Sequence, residues 1–187
     1  ALHPQRRSLA YVTMDIGRYR VFVRDGRGDR ELKVKRGSRN PFQPTDPDNP
    51  LLSWSPSGQI LGMIYERRDR RYFQYWNLRT GEEGRIRMNS TLERIYSFDF
   101  ISNSQLVLSA SERGYVDLYR FTLRNRKLER LTEDYFDNRD VHFARLGNRN
   151  GVLFSSNRNN TLLIPQRRDT TVPLNPFDLF FLDLTPD

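Results

Sequence analysis

Short apolar segments, rather than helical stripes, organise this chain. Leu9-Ala10-Tyr11-Val12-Thr13-Met14, Ile60-Leu61-Gly62-Met63-Ile64-Tyr65, Leu106-Val107-Leu108-Ser109-Ala110-Ser111 and Val152-Leu153-Phe154-Ser155-Ser156-Asn157 all have β-strand character. Their first residues fall at 9, 60, 106 and 152, a near-constant spacing. From the second unit on, each run follows a turn that closes a shorter strand: Ser55-Pro56-Ser57-Gly58, Ser102-Asn103-Ser104 and Gly147-Asn148-Arg149-Asn150-Gly151. Gly, Asn, Ser and Pro supply the backbone angles that tight hairpins need. A third strand rich in aromatics comes next in every unit, at 19–25, 72–78, 115–122 and 177–184. A fourth closes the first three units at 31–35, 85–88 and 127–131. No stretch sustains the 3.6-residue period of an amphipathic helix, so the pattern predicts an all-β fold.

The repeat decides between β architectures. A four-stranded propeller blade recurs at roughly 40–50 residues. Strands of a sandwich need not resemble one another, whereas these four units share one order of apolar strand, turn, strand, loop and aromatic strand. The expectation is a partial β-propeller over residues 1–187, with about four antiparallel four-stranded blades near 1–36, 50–88, 95–132 and 140–187. The last unit lacks its outer strand. Unpaired sheet edges are a liability in a free domain, so the chain reads as a piece of a longer protein. In a blade that meanders outward, the loops joining strands two and three leave on the same face as the connections between blades. The long loops here, 36–49, 66–71, 89–94, 133–139 and 157–176, all belong to that face. Long loops on a rigid scaffold are where binding usually resides.

Composition supports a folded domain and adds a charge. Hydrophobic residues make up 36% and aromatics 12%, enough for a core and too much for a disordered chain. The net charge is +8, and of 31 basic residues only Lys33, Lys35 and Lys127 are lysines. An arginine-rich surface can face nucleic acid, an anionic membrane or an acidic protein. Glu66-Arg67-Arg68-Asp69-Arg70-Arg71 gathers four guanidinium groups on one hairpin tip. A second pair, Arg167 and Arg168, lies in the insertion 161–173 beside the apolar Leu162-Leu163-Ile164. Arginine's planar fork suits carboxylate or phosphate, so Arg67, Arg68, Arg70, Arg71, Arg167 and Arg168 are the candidate partner-binding residues. Nucleic acid ranks behind a protein partner, because the aromatics sit inside strands at core-like spacing rather than on a stacking platform.

Reactive constellations are missing. Without cysteine there is no thiol chemistry and no cysteine-rich zinc site. His3 and His142 stand alone near the first strands of units one and four, which fits structural roles better than metal ligation. Neither a G-x-S-x-G elbow nor a phosphate-cradling G-x-x-x-x-G-K-[ST] loop occurs. Acidic residues gather at Asp46 and Asp48 and at Glu133, Asp134, Asp137 and Asp140. Calcium takes such oxygen ligands, but the spacing is not that of a calcium loop, and Asp beside Pro or Asn is ordinary turn chemistry. The expectation is a non-enzymatic chain with no catalytic residue, metal, cofactor or small-molecule substrate. No apolar run approaches the ~20 residues of a membrane-spanning helix. No signal-peptide pattern opens the chain, which leaves its location open.

One segment carries a resemblance. Pro50-Leu51-Leu52-Ser53-Trp54-Ser55-Pro56-Ser57-Gly58-Gln59-Ile60-Leu61 resembles the TolB-like propeller repeat, a Pro, a Trp-Ser-Pro-Asp-Gly turn and an apolar strand, with Ser57 where the family usually has Asp. Tyr75-Trp76-Asn77-Leu78-Arg79-Thr80-Gly81-Glu82 is similar to that family's aromatic strand and Thr-Gly-Glu turn. Val152 to Arg158 and Asp178 to Leu184 echo it, while units one and three match more weakly at His3-Pro4 and Phe98-Asp99-Phe100. The resemblance implies a propeller in which Trp54 or Phe100 packs between neighbouring blades. It also implies a non-catalytic docking platform in a bacterial periplasmic or cell-envelope protein, with transport or secretion as the process it would serve. The partner would then be another protein, a cell-envelope component. The same repeats form the accessory propellers of prolyl-oligopeptidase-like serine peptidases, which is the alternative. Polyanion binding through the arginine-rich surface is the third.

Overall fold

The structure is a computed structural model that describes residues 1–15, 18–36, 50–67, 70–158 and 177–185; among them are fourteen strands and no α-helix. β1 (Leu9–Asp15), β2 (Arg18–Asp25) and β3 (Gly28–Arg36) form the first sheet. β4 (Leu51–Trp54), β5 (Ile60–Arg67), β6 (Arg70–Asn77) and β7 (Glu83–Arg87) form the second. β8 (Arg94–Ser102), β9 (Gln105–Glu112), β10 (Tyr115–Thr122) and β11 (Lys127–Arg130) form the third. β12 (Asn138–Leu146), β13 (Arg149–Ser156) and β14 (Asp178–Asp183) form the fourth. Each sheet is an up-and-down meander in which consecutive strands are neighbours. Four such meanders in succession are blades of a partial β-propeller.

Burial along the strands explains the sequence pattern. β9 is buried at six consecutive positions, from Leu106 to Ser111, because both of its faces are covered. β7 instead alternates exposed and half-buried residues, as a one-sided outer strand does. Two details depart from the expectation. β8 and β12 are nine residues long rather than short, since β12 pairs with β13 down to the hairpin turn at Gly147. In the first sheet the innermost position is held by an isolated bridge, Leu2 to Leu9, beside which Ala1 and Ala10 exchange backbone hydrogen bonds of 2.7 and 2.9 Å. The insertion 161–173 lies outside the described residues.

The chain divides into two compact units, Ala1–Ser90 with Phe100–Asn103, and Thr91–Asp99 with Ser104–Asp187. In the first, Trp54 is buried in a cluster with Ala10, Val21 and Val23 of the first sheet and Leu61, Met63, Tyr65 and Trp76 of the second. This is the inter-blade packing implied for Trp54, and burying each large side chain stabilises by about 1.5–3 kcal/mol. Phe100 meets the Phe73 ring edge-on at 6.0 Å. A Cβ at Gly62 would lie 2.8 Å from both rings, so glycine is required there. In the second unit, Leu106, Leu108 and Ala110 of β9, Val116 and Leu118 of β10, Val141 of β12 and Val152 and Phe154 of β13 are buried. Side chains align the strands there. Ser97 Oγ accepts from the Val141 N–H at 3.0 Å, Asp99 accepts from the Phe143 N–H at 2.9 Å, and Ser109 Oγ donates to the Asn138 carbonyl at 2.7 Å.

Candidate functional site

The hairpin between β5 and β6 carries part of the predicted arginine site. Arg67 and Arg70 face each other in the register and are exposed. Arg71 is turned inward, with its side chain 17% exposed, and pairs with Glu66 at 3.5 Å. Its Nε is buried without a hydrogen-bond partner. Arg68, Arg167 and Arg168 lie outside the described residues. The hairpin therefore brings Arg67 and Arg70 together and diverts Arg71 into a local ion pair. None of these three lines either cavity described below.

The acidic run after β11 is occupied by protein groups rather than left open as a cation cage. Glu133 pairs with Arg130 at 3.2 Å, and Asp134 with Arg158 at 3.0 Å. Asp137 pairs with Arg139 at 2.6 Å, and Asp140 accepts from Ser155 Oγ at 2.7 Å. Arg158 also donates to Asn138 Oδ1 at 2.9 Å and lies over the Phe154 and Phe180 rings at 5.2 and 4.9 Å. Arg130 reaches further in. It donates to the fully buried Asp117 at 2.5 Å, whose other oxygen accepts from Thr132 Oγ1 at 2.9 Å. The bond to Asp117 raises the Arg130 guanidinium above its usual range. A buried carboxylate with a charge-assisted partner and a hydroxyl donor is well satisfied. Of the two histidines, His142 is exposed, with Nδ1 3.8 Å from Asp99. His3 is held by three backbone groups described below.

These ion pairs frame an open cavity of about 550 Å³ in the second unit, lined by Glu112, Arg113, Tyr115, Arg130, Glu133, Asp134 and Tyr135. It lies where the β9–β10 turn and the connection from β11 to β12 emerge, among the loops expected to carry binding. Tyr115 and Tyr135 meet edge to face at 5.6 Å between centroids and are 44% and 85% exposed. The connection is anchored rather than slack: Asn138 donates to Thr132 and Asp134, and Glu93 accepts from the Arg113 and Gly114 N–H groups at 3.0 and 3.3 Å. Beside the cavity, burial pushes the Tyr119 phenol up to about 12, with Glu112 adding to the shift. The sequence reading took the aromatics as core-like; Tyr115 keeps its predicted strand and Tyr135 its predicted loop, but both rings are exposed. Tyr135 sits in a connection, where strand alternation does not apply, and Tyr115 opens β10 ahead of the covered part of the sheet. The sequence signal was an aromatic amid acids, Glu133-Asp134-Tyr135-Phe136-Asp137, in a stretch rich in turn formers.

Comparison with solved structures agrees with this architecture. TolB from Acinetobacter baumannii superposes with a TM-score of 0.63 at 17% identity, over 95% of this chain and 39% of that protein's. A puromycin hydrolase does so with a TM-score of 0.57 at 13% identity, over 97% of this chain and 26% of the other. The β-propeller domain of the Trilobed protease from Pyrococcus furiosus gives 0.52 at 8% identity, over 94% of this chain and 50% of that domain. The chain thus spans about two fifths of the TolB structure, and the fold is that of a TolB-like β-propeller. No family model and no curated protein sequence matches it.

Proposed function

We propose that this chain is a non-catalytic protein-binding platform, part of the propeller of a bacterial periplasmic or cell-envelope protein. The observation that carries this reading is the exposed Tyr115–Tyr135 pair, presented at the mouth of a cavity by an ion-paired, hydrogen-bonded loop. Tyrosine and arginine dominate the energetic centres of protein interfaces, because they offer large, rigid area and a polar tip. A loop already held by Arg130, Arg158 and Asn138 loses little freedom on binding. The envelope location is supported by the likeness to TolB and by the repeat resemblance. A transport or secretion role for the parent protein belongs to the same reading.

Photo-cross-linking tests it. A benzoyl-phenylalanine introduced at Tyr135 of the full-length protein should trap one discrete adduct in envelope extract, and Tyr115→Ser should suppress that adduct. The same probe at Arg124, an exposed residue outside the cavity, should trap none. Equal labelling from both positions would contradict the assignment.

A second reading is supported by the likeness to a puromycin hydrolase and to the Trilobed protease propeller: an accessory propeller of a serine peptidase. Its chemistry would lie outside these residues. A G-x-S-x-G segment elsewhere in the full reading frame would favour it.

A further inference from the structure

A second cavity, in the first unit, has a different chemistry. It is a groove of about 510 Å³ at the end of β5 and β6 opposite the arginine hairpin. Its walls are the β2–β3 turn, the 3–8 segment, the β4–β5 turn and the start of the β6–β7 turn. Arg6, Arg27, Arg30 and Arg79 stand around it, all exposed. None of these four guanidinium groups makes an ion pair or hydrogen bond among the described residues. Of the acids on the rim, Asp29 is neutralised by Arg24 through two bonds of 2.8 and 2.6 Å, and Asp25 accepts from the Arg27 N–H at 2.8 Å. Asp25 keeps its charge, so the four guanidinium groups against one uncompensated carboxylate leave the rim net cationic. Below it, the half-buried Leu78 gives an apolar floor, backed by the buried Val23 and Trp54.

The groove is preformed. His3 Nε2 lies 2.9 Å from the Gly58 carbonyl, and Nδ1 accepts from the Gln5 and Arg6 N–H groups at 3.0 Å each. That pattern places the ring proton on Nε2 and makes the imidazole a clamp between the 3–8 segment and the β4–β5 turn. The ring also packs on Trp54 at 4.7 Å. Gly58 adopts φ +67°, and a Cβ there would come within 2.3 Å of the His3 ring. Arg6 is thus positioned by the clamp, and Arg27 and Arg30 by the β2–β3 hairpin.

We propose that this groove binds an acidic peptide segment of a partner protein, with one apolar side chain on the floor and carboxylates against Arg6, Arg27, Arg30 and Arg79. Four unpaired guanidinium groups, each able to take a carboxylate in a two-pronged bond, supply the charge complementarity. The volume falls in the range of sites that take short ligand segments. Nucleic acid fits less well. Trp54 is only 6% exposed and its indole N–H is already donated to the Ala1 carbonyl at 3.2 Å, so no aromatic face is offered for base stacking. The proposal is independent of the Tyr115–Tyr135 site, which belongs to the other unit.

Titration calorimetry on the chain tests it with four probes: a Glu-rich peptide carrying one Leu, the same peptide with that Leu replaced by Ser, inorganic phosphate, and a single-stranded oligonucleotide. The Leu-bearing peptide should bind, and loss of the Leu should weaken it about tenfold. Arg27→Ser combined with Arg30→Ser and Arg79→Ser should weaken it about thirtyfold or more, with circular dichroism unchanged because all three residues are exposed. Arg124→Ser and Tyr135→Ser should leave the affinity as it was. Peptide binding that survives the triple substitution would overturn the proposal. So would phosphate or the oligonucleotide binding as tightly as the peptide and responding to the same substitutions. Either result would leave the Tyr135 cross-link unaffected, so the two readings fail separately.

Discussion

Around the second unit's cavity, Arg130 divides its guanidinium between Asp117 and Glu133, and Arg158 bridges Asp134 and Asn138. Around the first unit's groove, Arg6, Arg27, Arg30 and Arg79 pair with no carboxylate among the described residues, although Asp25 and Asp29 share the rim. Both sites hold arginine, yet in one Arg130 and Arg158 organise the loop that displays two tyrosines, with only Arg113 left unpaired among the described residues, and in the other all four are left to the ligand. A count of arginines does not separate these uses. What separates them is whether a carboxylate lies within reach in the folded chain, which is a property of strand register and of the turns that join the strands. The net charge of +8 is accordingly uninformative about any single site.

The contrast can be broken most severely at the first unit's clamp. Gly58→Ala forces a side chain into a left-handed backbone position and against the His3 ring. It should destabilise the protein by about 2–3 kcal/mol in urea denaturation and abolish peptide binding while sparing the Tyr135 cross-link. The corresponding blow to the second unit is Asp117→Ala, which strips Arg130 and Thr132 of a fully buried acceptor. Arg130 is one third exposed and can turn to water, so a loss of about 2 kcal/mol is expected. Here the cross-link should weaken and peptide binding should persist. If either substitution abolished both activities, the separation of the two sites would be lost.

Titration sharpens the contrast more gently. Burial pushes the Tyr119 phenol from its ordinary 10.0 up to about 12 in the folded chain. Below pH 10 it is protonated in both states and its contribution to stability is complete. Between 10 and 12 the unfolded chain ionises first, so stability falls as pH rises. Alkaline denaturation of the wild type should steepen in that window, and Tyr119→Phe should flatten it. In the first unit, the bond from Arg24 lowers the Asp29 carboxyl below its ordinary 3.8. That contribution is present above 3.8 and is lost as pH falls through the lowered folded value, so Asp29→Asn should blunt acid sensitivity slightly. Smallest of all is the stability effect of Tyr135→Ser. The residue is 85% exposed, and its replacement should stay within about 0.5 kcal/mol of the wild type.

Much of this fold was legible before any coordinates. The runs at 9–14, 60–65, 106–111 and 152–157 fall on β1, β5, β9 and β13, since continuous apolar character and turn residues at hairpin ends are local signals. Trp54 as core was legible through the repeat resemblance. The candidate sites were not. Arg71 turns onto Glu66, and the carboxylates after β11 each find a partner, through register and packing that no spacing rule encodes. Tyr135 escaped because loop residues have no period from which exposure can be read. The groove joins His3 and Arg6 to a turn some fifty residues downstream, so its four arginines looked like scattered surface charge.

Whether Tyr135 touches a partner is the decisive question for this protein. Once the adduct identifies that protein, its affinity for the full-length platform should fall about thirtyfold with Tyr135→Ser. The loss should be nearly independent of salt, as expected for an uncharged aromatic anchor. An unchanged affinity would contradict the platform reading at its centre.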